Sequence, residues 1–409
     1  MRAKAALLAG AVILLALPAI AHQVQAPAPQ PSPIPATPAT NSAAPSTSLA
    51  RSAPPASAAD ESGVEVVSAE SLPPTAPPIE YPAWARRDPW TVGVLDPQIE
   101  GLGAQPWGDS SGAFLSTLMR RIDTPIASRW AQIALRDALL ARAPAPRGVN
   151  PVDWVAERAW LLLRLGEADA ARMLVAGVDT DRFTPKMTQV AVQSALATAD
   201  PPALCGFEAK IRRHERNVGQ LVSAMCASLA GEPESAAAQI DNARRFGRIG
   251  GIDLTLAEKM VGAGSAGRSV KIEWEPVDRL NAWRFGLATA TGMTPPDRLV
   301  DKASPQLRAY QARAPLLAPQ DRIGSALVAA GLGVFSSQSM IDLYSAIYDS
   351  TDPGDLPQSD AWQLRQAFVV SDQDARVAAI RHILGLGKDG LAREGARAAA
   401  ARAATLVVP

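Results

Sequence analysis

The side chains best suited to chemistry are few, and their spacing works against it. The histidines are His22, His214 and His382. None stands in a His-x-x-x-His pair, which would put two imidazoles on one helix face around a metal. The only cysteines, Cys205 and Cys226, are too far apart for a zinc knuckle. His214 lies in Arg212-Arg213-His214-Glu215-Arg216, which reads as a solvated basic helix end. His382, beside Ile380 and Ile383, reads as a surface or half-buried structural side chain. No Gly-x-Ser-x-Gly nucleophile elbow occurs. Gly262-Ala263-Gly264-Ser265-Ala266-Gly267 lacks the Gly-Lys-Ser/Thr ending and preceding strand of a phosphate loop, so it reads as a flexible loop. Val270–Trp274 is the best strand-like alternation in the chain, and Glu273 and Glu275 flank Trp274 at its end. Alternate strand positions share a face, as a glycosidase carboxylate pair requires, but no cleft is visible around them. The expectation is a non-enzymatic chain with no cofactor and no metal.

The two cysteines say more about architecture. On one continuous helix, at about 1.5 Å rise per residue, they would stand roughly 30 Å apart. A disulfide needs Cα atoms within about 7 Å. Asn217 and Gly219 mark a chain reversal between them. From Gln220 the apolar residues Leu221, Val222, Met225, Cys226 and Leu229 form one helical stripe. Cys205 and Cys226 then face each other across an α-hairpin, and the spacing predicts a disulfide. The alternative is two buried thiols packing as small apolar side chains.

The elements around this hairpin follow in chain order. Residues 1–21 read as a secretory signal peptide: Arg2 and Lys4, an apolar run from Ala5 to Leu17, and a small-x-small cleavage pattern at Ala19-Ile20-Ala21. Cleavage leaves a chain two charges more negative than the balanced precursor of 40 basic and 40 acidic residues. That balance offers no electrostatic footprint for nucleic acid, and no transmembrane segment is expected after cleavage. Residues 22–82 are dominated by Pro, Ala, Ser and Thr and read as a disordered linker. Residues 83–108 form a Trp/Pro-rich transition. Trp84, Trp90 and Trp107 read there as a lid on the first helices or, alternatively, as a carbohydrate-stacking platform.

From 109 to 409 the chain reads as helix after helix, with Pro near starts and Gly at stops. A subdivision is expected near 262–270. Leu165-Gly166-Glu167 and Ala230-Gly231-Glu232 each precede a helix with an alanine, Ala171 or Ala236, four residues after the glutamate. The two glycines are 65 residues apart, close to two units of about 34 residues. Over Val152–Phe246 this grammar resembles tetratricopeptide-like helical-hairpin repeats. The resemblance implies an all-α, TPR-like solenoid with closely paired helices and a concave face for partners.

In broad architecture the chain is also similar to the α-superhelical platform of soluble lytic transglycosylases, without their lysozyme-like catalytic domain and its Glu-Ser motif. The Ala/Thr/Pro wording of the linker resembles antifreeze glycopeptides in composition, without their regular repeat. The expected function is that of an exported helical-repeat scaffold, periplasmic or secreted in a Gram-negative cell, mediating protein–protein interactions with envelope proteins. The alternative is peptidoglycan binding or an accessory role to a peptidoglycan-acting enzyme.

Overall fold

A computed structural model describes residues 82–247, 249–264 and 270–383. The stretch read as a signal peptide, the stretch read as a linker up to residue 81, and residues 384–409 lie outside the described residues. The described chain belongs to the unit Thr75–Pro409. Among the described residues the fold is all-α, with no strand and a single isolated bridge between Leu95 and Ala141.

The helices are α1 (Gly112–Arg121), α2 (Arg129–Leu140), α3 (Pro151–Arg164), α4 (Ala168–Ala176), α5 (Pro185–Ala197), α6 (Glu208–His214), α7 (Arg216–Leu229) and α8 (Pro233–Phe246). They continue with α9 (Ile252–Gly264), α10 (Ala282–Ala290), α11 (Asp297–Val300), α12 (Pro305–Arg313), α13 (Pro319–Leu332), α14 (Ser337–Ser350), α15 (Asp360–Val369) and α16 (Gln373–Ile383). Starts follow capping chemistry. Asn150 Oδ1 accepts from the N–H groups of Val152 and Asp153 at 2.9 and 3.2 Å, with Pro151 in the first turn. These bonds satisfy donors that the helix itself leaves open. Ser111, Ser128, Thr184, Asn281, Ser336 and Ser359 cap their helices in the same way.

Two hairpins share a plan. α3 packs on α4, and α5 packs on both; α7 packs on α8, and α9 packs on both. Each hairpin turns on a left-handed glycine, Gly166 at φ +88° and Gly231 at φ +83°, a conformation a Cβ disfavours. Ala171 and Ala236 are both fully buried, which lets the paired helices approach closely. Hairpin stacking is not the whole arrangement. α10 returns to pack on α5 as well as on α9. Further on, the Tyr310 hydroxyl of α12 donates to the Leu163 carbonyl of α3 at 2.6 Å, across 147 residues. The apolar core is accordingly continuous from Val92 through Phe285 and Leu287 to Tyr310, and a second cluster runs from Ala309 to Ile383 through α12–α16.

Three sequence expectations are corrected. Val270–Trp274 is not a strand, because no second strand is present among the described residues to receive its backbone hydrogen bonds. Gly262 and Gly264 are not loop residues; they complete α9. A Cβ on Gly264 would stand 2.7 Å from Ser228 Oγ, so glycine there permits α9 to lie close against α7. The first arm of the α-hairpin expected around Cys205 is not one α-helix: a 3-10 turn spans Pro201–Phe207, and α6 follows it.

Candidate functional site

Cys205, in the 3-10 turn, and Cys226, in α7, are joined by a disulfide with Cα atoms 5.5 Å apart. The reversal falls at Glu215, between α6 and α7. The bridge closes a 21-residue separation and ties the 3-10 turn, which also packs on α5, to α7.

Next to it lies a groove of about 360 Å³ formed by α5, the α6–α7 junction and the start of α10. Its floor is apolar, with Val192, Leu196, Val218 and Ala282. Gln189 and Gln193, one turn apart on α5, stand along one wall, with Glu215, Asn281 and Trp283 around the rest. Helical spacing puts both glutamine amides on one face. Neither amide has a hydrogen-bond partner among the described residues, so each keeps both donor and acceptor capacity. Trp283 is held rather than loose: its Nε1 donates to the Asp253 carbonyl at 3.0 Å. The neighbouring Arg284 makes a two-point bond to the Asp253 carboxylate at 2.8 and 2.9 Å. That bond raises the Arg284 pKa above its ordinary value. Asn281 spends its oxygen on the Arg284 N–H at 2.9 Å and keeps its NH2 for the groove.

A charged cluster lies where α1, α3 and α5 meet. Glu157 is 5% exposed and bonds Lys186 at 2.6 Å and Arg120 through two nitrogens. Burial pushes its carboxyl up, but Arg120 and Lys186 outweigh burial and hold it below the usual carboxylate range. Thr184 donates to Asp153 at 2.6 Å beside it. Every member of this cluster is partnered, so it braces the helices.

The three transition tryptophans separate. Trp84 and Trp90 are 87% and 51% exposed, whereas Trp107 packs on the core. Its ring meets Trp154 edge-on at 5.2 Å, with the Arg158 guanidinium 5.1 Å from its centroid. Arg158 is 1% exposed and donates to the carbonyls of Leu139, Val92 and Ala141 at 2.7, 2.8 and 2.9 Å. Burial pushes its pKa down to about 9, which leaves it cationic at neutral pH. Of the three, it is Trp107 that packs against the first helices. Trp107 also lines an open cleft of about 480 Å³ between 104–110 and 143–147. Neither Trp84 nor Trp90 lines it, so the three do not form one platform there.

The remaining candidates disperse. His214 ends α6, and His382 on α16 stands 3.9 Å from Asp360. Glu273 is solvent-exposed and 3.9 Å from Lys271. No group of three or more His, Cys, Asp or Glu side chains suited to a metal occurs among the described residues. None of the described helices is long and apolar enough to cross a membrane.

The α5–α10 groove escaped sequence reasoning. Gln189, Gln193 and Asn281 are ordinary polar residues in the sequence, and the return of α10 onto α5 has no local signal. Fold and grooves together define an all-α helical-hairpin protein with a disulfide-braced core. No family model matches the chain, and no curated protein or solved structure matches it.

Proposed function

We propose that the chain is an exported, non-enzymatic helical scaffold that binds extended segments of other envelope proteins. The α5–α10 groove carries this reading. Unpaired glutamine amides above an apolar floor match a peptide: amide pairs with backbone N–H and C=O, and small apolar side chains settle on Val192 and Leu196. A disulfide in a chain with a signal-like start fits an oxidising compartment, periplasmic or extracellular. A photoreactive residue at Gln193, compared in cells with one at exposed Ala238 on α8, tests the proposal. One or a few specific adducts at 193 and not at 238 support it. The same diffuse pattern at both positions defeats it.

The Trp107 cleft favours a second reading, binding of cell-wall glycan. Gln105, Asp109, Ser110 and Arg147 line it with no side-chain hydrogen bond among the described residues, beside an aromatic wall on which a sugar ring can pack. Muropeptides at millimolar concentration should then raise the Tm, and the Asp109→Asn variant should lose that shift. No shift in the unaltered protein removes this reading.

A further inference from the structure

The turn between α3 and α4 ends on Glu167, which is 2% exposed. Its backbone is fully engaged: the N–H donates to Leu162 at 2.9 Å, and the carbonyl accepts from Ala171 at 3.0 Å. The carboxyl is not. Oε1 is buried and accepts no hydrogen bond. Arg136 Nη1 stands 3.9 Å away, outside hydrogen-bond range.

The charged groups around it are already matched to one another. From α2 come Arg136 and Asp137, paired at 2.8 Å. From α4 comes Asp169, paired with Arg313 of α12. Arg313 also donates to the Val334 carbonyl at 2.6 Å. Arg129 of α2 lies against Gly333, at the end of α13. Arg164 of α3 is turned to the carbonyls that end α1. Gln132, one turn before Arg136 on α2, donates its amide to Leu165 at 3.2 Å, and its own buried oxygen is left without a donor. A new negative charge at Glu167 would meet two committed cations and two carboxylates. A neutral carboxyl brings a donor to the same place.

We propose that Glu167 is a proton-operated latch at the junction of α2, the α3–α4 turn and α12. With its proton in place the junction is closed. Ionised, the carboxylate repels Asp169 and competes for Arg313, and α12 loosens from the turn. The junction has little slack, since a Cβ on Gly166 would stand 2.9 Å from Ala309 Cβ. Burial, opposed by Arg313 and Arg136, pushes the carboxyl up to about 7. A carboxyl raised on folding contributes stability that is full below its unfolded value. That contribution is lost as pH rises through the folded one. The latch is thus closed in mild acid and releases through neutrality.

Thermal unfolding of the full chain at pH 5.5 and 8.0, for the wild type and Glu167→Gln, reads the latch directly. Glutamine keeps the shape and a donor but cannot ionise. Relative to that variant, the wild type should lose about 5 °C in Tm across the interval; parallel shifts overturn the proposal. If Glu167→Gln does not fold, hydrogen exchange in the wild type decides. After correction for intrinsic rates, protection in α12 should fall about tenfold from pH 5.5 to 8.0 while α7 keeps its protection. Equal behaviour of α12 and α7 overturns the latch.

Discussion

The α3–α4 and α7–α8 turns are written alike and treated differently. Both run Gly-Glu, both glycines are left-handed, and both hairpins bury an alanine four residues past the glutamate. Gly166 lies under α12 and the α13–α14 link, near Ala309, Gln306 and Val334, whereas a Cβ on Gly231 would meet nothing within 4 Å. Glu167 is buried and Glu232 is exposed. Local sequence sets the turn, and a distant helix decides whether the turn becomes an interior. The fastening differs too. The first hairpin is held by buried polar side chains, namely Arg158, Tyr310 and Gln132, each donating to backbone carbonyls. The second is held by the Cys205–Cys226 bridge and by Ser228, which donates to the Val261 carbonyl at 2.7 Å.

That contrast can be broken experimentally. Arg158→Ala should be the most damaging single change, costing about 4 kcal/mol, because three buried carbonyls lose their donor together. Denaturant unfolding of the folded fraction measures it, and a loss under 1 kcal/mol would undo the account of the first hairpin. Reduction of the disulfide should cost about 3 kcal/mol by loop closure. Hydrogen exchange should show the loss centred on α6 and α7, with α3 little affected. A uniform loss over both hairpins would mean they are not separately fastened.

Substitutions at the turns and at their contacts sharpen the same comparison. Gly166→Ala should cost about 3 kcal/mol, combining left-handed strain with the clash at Ala309. Gly231→Ala should cost about 1 kcal/mol, from strain alone. Equal Tm losses would contradict the different burial of the two turns. Tyr310→Phe removes only the hydroxyl, and the Leu163 carbonyl keeps the Gly166 N–H at 2.9 Å, so the loss of one buried hydrogen bond should cost about 1 kcal/mol. Burial pushes the Tyr310 hydroxyl well above its ordinary pKa, so the difference between Tyr and Phe should stay constant from pH 6 to 9.

Much of the fold was legible where the signal is local. Pro stands near helix starts as that punctuation predicts, with Asn150-Pro151 opening α3 and Pro305 opening α12. Capping and proline act within a single turn, so they survive whatever packs on them. The cysteine pairing was legible for a similar reason, since a reversal between two helical stripes leaves few other partners. Trp84, Trp90 and Trp107 were less so. The three belong to one composition, and burial separates them only because Arg158 and Trp154 sit under Trp107.

By itself, then, the sequence determined an all-helical chain, its hairpin turns and its bridge. These follow from backbone geometry and from periodicity over a few residues. Tertiary structure decided the groove and the latch. Gln189 and Gln193 acquire a floor and an opposite wall only when α10 returns to α5. Glu167 loses water only when α12 and the α13–α14 link cover its turn. Both events join residues more than 80 positions apart, and no local pattern of side chains encodes such a meeting, because its driving force is the apolar area buried between whole elements.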